Sequence, residues 1–159
     1  MSIHWKVRSF AELSTHELHD ILRLRVDVFV VEQQCPYAEV DGQDPTALHV
    51  IGTDEHCKIV VYGRILPALP GEVPHLGRIV IHPDQRGKGL AHELMGRMLA
   101  ELRSRYGSDH SMLAAQAHLE DLYAKHGYQR VGEPYVWDGI PHVDMERSDE
   151  EVQTSNAAG

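Results

Sequence analysis

Gln85-Arg86-Gly87-Lys88-Gly89-Leu90-Ala91 is the stretch that decides how the rest of the chain is read. It follows an apolar run, Arg78-Ile79-Val80-Ile81, and the pair His82-Pro83, and it opens a segment with helical periodicity. Two glycines separated by a single residue at a strand-to-helix junction let the backbone turn tightly and let an anion approach the amides. Outward-pointing N–H groups at such a turn, backed by the positive end of the helix dipole, form a phosphate cradle. Arg86 and Lys88 add positive charge that folding alone does not require. The spacing is neither that of a Walker loop nor that of a dinucleotide Gly-x-Gly-x-x-Gly, because His92 stands at the third glycine position.

Around this loop the chain reads as a mixed α/β sheet flanked by helices. Ile3, Trp5 and Val7 alternate with polar residues as in a half-buried strand. Ser14 with Glu17 forms a capping box, and Leu18, Ile21, Leu22 and Phe29 form the apolar stripe of a first helix, with Arg23, Arg25 and Asp27 on other faces. Segments 47–53 and 58–66 read as a hairpin around Asp54-Glu55-His56, and 76–81 as the central strand. Leu90, Leu94, Met98 and Leu102 line one stripe of the next helix, which Gly107 ends. A strand over 111–116, a short helix over 118–126 and late strands around 128–137 and 142–145 complete the order, with Gly132 and Pro134 interrupting the first late strand. One domain over 1–147 is expected, with a disordered tail over 148–159.

The bulk numbers bound the partners. The chain has 159 residues, 42% hydrophobic and 25% charged, with a net charge of -9. That acidity argues against nucleic acid as the main partner. No apolar run reaches the ~20 residues of a membrane span, and no signal region opens the chain, so a cytoplasmic protein is expected. Cys35 and Cys57 are too few for a disulfide framework. His16 and His19 on one helix face do not reach the convergent ligand set of zinc, and no metal is expected.

The loop resembles the pyrophosphate-binding signature Gln/Arg-x-x-Gly-x-Gly/Ala of the GNAT N-acetyltransferase superfamily. Leu122-Tyr123-Ala124-Lys125-His126-Gly127-Tyr128 is similar to that family's Phe-Tyr-x-x-x-Gly-Phe segment. Val28-Phe29-Val30-Val31-Glu32-Gln33, Cys35-Pro36-Tyr37 and Asp41-Gly42 resemble its ElaA-like branch. The resemblance implies the GNAT fold, in which the two parallel strands joined by the helix after the loop splay apart and acetyl-CoA binds between them. It implies a pyrophosphate on residues 85–91 and a pantetheine arm along the main chain of Ile79, Val80 and Ile81; Gln116, where strand gives way to helix, either hydrogen-bonds the cofactor or is an ordinary strand-end polar residue. Tyr123 is then the acid that assists the leaving sulfur, unless its ring merely packs on the sheet.

No carboxylate stands on the strand 111–115, so the general base stays open, with Glu32 the leading candidate, His142 and His82 next, and a water chain as the other option. The acceptor pocket is expected from residues 32–44 and 138–142, where Glu32, Glu39, Asp41 and Asp44 suit a cationic small-molecule amine. The implied reaction is direct attack of a primary amine on the thioester. A non-catalytic acyl-CoA-binding module and a protein acetyltransferase are the alternatives. Exposed late strands make a homodimer reasonable.

Overall fold

Ser14 begins the first helix as a capping box should. Its Oγ accepts from the Glu17 amide at 3.0 Å, and the Glu17 carboxylate accepts from the Ser14 amide at 2.9 Å. In the computed structural model, which describes residues 2–148, helix α1 spans Thr15–Arg25 and continues as a π-helix over Val26–Glu32. The wider turn lies next to the candidate site, where such irregularities are common. The expected tail falls outside the described residues apart from Ser148.

The strands are β1 (His4–Ser9), β2 (Leu48–Thr53), β3 (Ile59–Leu66), β4 (His75–Ile81), β5 (Ser111–Gln116), β6 (Gln129–Trp137) and β7 (Ile140–Arg147). They form one seven-stranded sheet in the order β1-β2-β3-β4-β5-β7-β6. The β2–β3 turn is fixed by the Asp54 carboxylate, which accepts from the amides of His56 and Lys58, both at 2.9 Å. Strand β6 is continuous through Gly132 and Pro134. Its register to β7 slips between Val131 and Tyr135, so those residues make a bulge and not an end.

Helix α2 (Leu90–Tyr106) covers one face, and Gly107 closes it at φ 71° with its amide on the Arg103 carbonyl. Leu94, Met95, Met98 and Leu102 pack there with Val50, Val61, Ile65 and Leu113. On the opposite face α1 and its π-turn set Ile21, Leu24 and Val28 against Ile51, Tyr62 and Val80. Neighbours Val50 and Ile51, and Val61 and Tyr62, therefore serve opposite layers, as a pleated strand requires. Gly63 lets α2 approach β3, because a Cβ there would stand 2.8 Å from the Met98 sulfur.

Two departures from regular pairing open this sheet. Strands β4 and β5 are parallel but pair only at His75 with Met112 and Leu76 with Leu113. Beyond that point they separate, giving the splay. On its other side β4 pairs Val80 with Tyr62 and Gly77 with Arg64, so Gly63 alone faces both Arg78 and Ile79. This is a β-bulge, and Arg78 sits in it with a left-handed backbone at φ 52°.

The helical pattern places Arg25 away from the apolar stripe, yet its side chain is fully buried. Charge pairing, described below, is the physical reason. No helix among the described residues is long and apolar enough to cross a membrane.

Candidate active site

At the end of β4, Pro83–Gln85 forms a tight 3-10 turn, and the His82 ring accepts from the Asp84 amide at 3.1 Å. Gly87 and Gly89 both adopt left-handed backbone, at φ 79° and 77°, and nothing lies within 4 Å of where a Cβ would stand on either. Gly89 caps α2 without a side chain of its own, so no side-chain oxygen occupies the first-turn amides. The loop is therefore an open concavity of main-chain donors at the positive end of a long helix.

The β4 bulge and the splay together leave Arg78 and Ile79 without a ladder partner on β3 or β5. Such unpaired main-chain groups can pair with an extended ligand lying between the strands. A cavity of about 700 Å³ runs along this opening. It is lined by Ile79, Val80, Ile81, Gln85, Arg86, Gly87, Gly89, Leu90 and Ala91, and by Glu32, Gln116, Tyr123 and His142. Of the residues expected at the site from sequence, Lys88 does not line it; its ammonium is held by the Gln85 side chain at 3.0 Å. His82 does not line it either, being engaged by the turn.

Tyr123, on the short helix α3 (Glu120–Ala124), is 5% exposed and packs in the core beneath α2 while reaching the cavity. Core packing and cavity lining are thus both true of it. Burial, with a smaller contribution from Tyr128, pushes its phenol up to about 12. It stays protonated at any physiological pH and so has a proton to donate there.

Glu32 at the end of the π-helix receives a bidentate ion pair from Arg86, at 2.8 and 3.0 Å. The Arg86 bond holds the Glu32 carboxyl below its ordinary value against a small opposing effect of burial. His142, on β7 opposite Gln116, is 9% exposed, and its Nδ1 is 2.7 Å from the Ile140 carbonyl. That contact makes Nδ1 the protonated nitrogen of the neutral ring, which leaves Nε2 with its lone pair. Tyr135 stacks on the ring at 5.9 Å and Trp137 tilts against it at 5.7 Å. Across the opening, Gln116 and Gln33 exchange amide hydrogen bonds at 3.2 and 3.4 Å.

The acidic segment is not free negative charge. Glu39 accepts from Arg25 and Arg78, both at 2.7 Å, and its other oxygen takes the Tyr37 hydroxyl. Asp44 accepts from Arg25 at 2.8 Å and Arg64 at 2.9 Å, and Asp41 binds Arg64 and Arg78. Burial works to raise Asp41, but bonds from Arg64 and the Gln43 amide hold it down to about 2. These carboxylates neutralise arginines from α1, β3 and β4, and of the three only Asp41 also lines the cavity.

Sequence reading missed Arg64 and Arg78 as cavity residues. A signal existed: each is a lone cation in an otherwise apolar strand, which demands a counter-charge from elsewhere. The cavity's far wall comes from Cys35, Tyr37 and Asp41 on one side and Asp138 and Ile140 on the other. The Cys35 thiol donates to the Asp138 carbonyl at 3.3 Å, tying these walls together. Among the described residues no cluster of three or more His, Cys, Asp or Glu is arranged to hold a metal ion.

A family model described as Acetyltransferase (GNAT) domain matches residues 17–148. Protein ElaA of Escherichia coli K12 is 37% identical over 148 residues, covering 91% of this chain and 96% of that protein. The crystal structure of ElaA superposes with a TM-score of 0.87 at 36% identity, covering 92% of this chain and all of the other. A crystal structure of an acyl-CoA N-acyltransferase from Pseudomonas aeruginosa gives 0.87 at 38% identity, with the same coverage. A glycine cradle, a splayed strand pair and a bulged central strand thus occur in a chain that, by these matches, belongs to the GNAT acetyltransferase family.

Proposed function

We propose that this chain is an acyl-CoA-dependent N-acyltransferase that moves an acetyl group from acetyl-CoA to a small-molecule primary amine by direct attack. The observation that carries the reading is the continuity of one cavity. It joins the glycine loop, the unpaired main chain at Ile79, and Tyr123, and it continues to the 35–41 and 138–142 walls. The similarity to an acyl-CoA N-acyltransferase supports the donor class.

In this reading the amides of residues 87–91 hold the diphosphate, and Ile79, Val80 and Ile81 align the pantetheine arm through their main chain. Gln85 and Arg86 flank the diphosphate, Leu90 and Ala91 supply first-turn amides, and Lys88 contributes charge from outside the cavity. Gln116, held by Gln33, positions the thioester end. The amine nitrogen attacks the thioester carbonyl carbon, a C–N bond forms, and the C–S bond breaks. Tyr123 gives its phenolic proton to the departing sulfur, the proton lost by the amine goes to a base, and an equivalent proton returns to the phenolate to close the cycle.

An amine with a pKa near about 10 is almost wholly protonated at neutral pH, so that base matters. His142 is favoured over Glu32, because Nε2 carries an available lone pair in the cavity while Glu32 is clamped by Arg86. Asp138, which forms no ion pair among the described residues, is the carboxylate left at the acceptor end to meet an ammonium. A homodimer through β6 remains part of the proposal, since that edge strand exposes Val136 and Trp137.

Coenzyme A release from acetyl-CoA with a panel of primary amines tests the reading. Turnover should appear with at least one amine and fall about 10²–10⁴-fold in Tyr123→Phe, the range of a positioned acid. Tight CoA binding with no turnover across the panel would favour a non-catalytic binding module instead.

A further inference from the structure

Four non-glycine residues have left-handed backbone among those described: Gln34, Cys57, Arg78 and Asp138. Three lie in turns or bends; Arg78 lies inside a strand. A long unbranched side chain gains nothing from that conformation locally, so something distant must hold it. The hold is visible. Arg78 Nε donates to Glu39 Oε2 at 2.7 Å, and Nη2 donates to the Glu39 carbonyl and to Asp41 Oδ2, both at 3.2 Å. The guanidinium also lies 5.7 Å from the centre of the Tyr37 ring. Glu39 is itself anchored by Arg25, whose side chain is fully buried.

The consequence falls on the next residue. With Arg78 left-handed, Gly63 faces two residues of β4, and Ile79 has no ladder partner. If Arg78 relaxed to extended backbone, β4 would shift by one residue against β3 and the bulge would close, taking Ile79 into the ladder. Resting on the function proposed above, we propose that Arg78 is a positioning residue. Anchored to Glu39 and Asp41, it keeps the β4 bulge open and the main chain at Ile79 free for the thioester arm. It links the 37–41 wall to the donor site without touching the reacting atoms.

Backbone preference makes this testable, because Gly and Asn accept left-handed geometry and Ala does not. Arg78→Gly, Arg78→Asn and Arg78→Ala all remove the guanidinium equally. A role for its charge alone predicts equal loss in all three. The bulge role predicts kcat/KM for acetyl-CoA in the order wild type, then Gly and Asn, then Ala. The Ala variant should fall about 10²-fold, as misplaced reacting groups do, and Gly should recover at least about 5-fold of that. Amide hydrogen exchange at Ile79, followed by NMR, should be fast in wild type, slower in Gly and Asn, and slowest in Ala.

Arg78→Lys keeps the charge beside Glu39 but not the fork, and serves if the Ala variant does not fold. Its Ile79 amide should exchange more slowly than in wild type. Equal activity in Gly and Ala, or Ile79 exchange unchanged in every folded variant, overturns the proposal. Should wild type itself release no coenzyme A with any amine, the transferase reading fails, and Ile79 exchange alone still decides the role of Arg78.

Discussion

In the proposed reaction the raised pKa of Tyr123 weakens it as an acid toward sulfur, whose conjugate acid lies at about 8.5, but keeps it protonated. A phenol at about 12 gives up its proton reluctantly to water, yet it is present in the acid form wherever the enzyme works. It therefore contributes no limb to the rate profile below about pH 11, and the acid-side fall must come from the acceptor amine and its base. Tyr123→Phe should lower kcat while leaving the shape of the profile between pH 6 and 9 unchanged; a changed shape would mean that another group carries the proton. The same reasoning separates the two candidate bases. Glu32, held low by Arg86, is ionised through this range but is a weak base. His142→Gln should cost about 10²-fold in kcat and Glu32→Gln less than about 5-fold, given that a positioned base contributes about 10²–10⁴-fold. A larger loss in the Glu32 variant, read from initial rates at saturating amine, reverses the assignment.

In the proposed function the strand–glycine–helix element carries the donor site, and its glycines are needed for their backbone. Gly89 is left-handed at the α2 cap, so Gly89→Ala puts a Cβ into a conformation that L-residues avoid. Titration calorimetry should show coenzyme A binding weakened about 10-fold or more, with α2 and the fold intact, because a strained cap re-aims the first amides. Unchanged binding would place the diphosphate elsewhere. This element was legible in the sequence because its determinants are local: Gly87 and Gly89, the preceding apolar run and the following helical stripe. The capping box at Ser14 and the close of α2 at Gly107 were legible for the same reason. The β4 bulge was not, because it depends on Arg78 meeting Glu39, a partner 39 residues away. Nor was the π-turn over Val26–Glu32, since Val28-Phe29-Val30-Val31 reads as an ordinary apolar run. The acidic 39–44 segment looked like an acceptor site for one reason only: its arginine partners lie on three other elements.

Across the whole molecule those partners form one largely buried unit that ties the 39–44 segment to α1, β3 and β4. Arg25 from α1, Arg64 from β3 and Arg78 from β4 converge on Glu39, Asp41 and Asp44. The Asp44 carbonyl adds the His49 ring at 3.0 Å, and that ring meets the Tyr62 hydroxyl at 2.7 Å. Asp44 is the node, because its carboxylate serves both Arg25 and Arg64. Asp44→Asn leaves two buried guanidiniums short of a counter-charge, and breaking a buried pair in this way costs about 3–5 kcal/mol. For a chain of this size that lowers Tm by roughly 10 °C at pH 7. The acid dependence has a defined sign. Burial lowers the folded pKa of His49, so its contribution is present above about pH 6.5 and fades as pH falls below that. The Arg25 and Arg64 bonds outweigh burial and lower Asp44, so its contribution is present above about pH 4 and is lost on further acidification. Thermal denaturation from pH 8 to 3 should therefore show Tm declining from about pH 6.5 and more steeply below about pH 4, with Asp44→Asn lower at neutrality and flatter at the acid end. Equal Tm at pH 7 would mean that the six charges are not what fixes the 39–44 wall against the sheet.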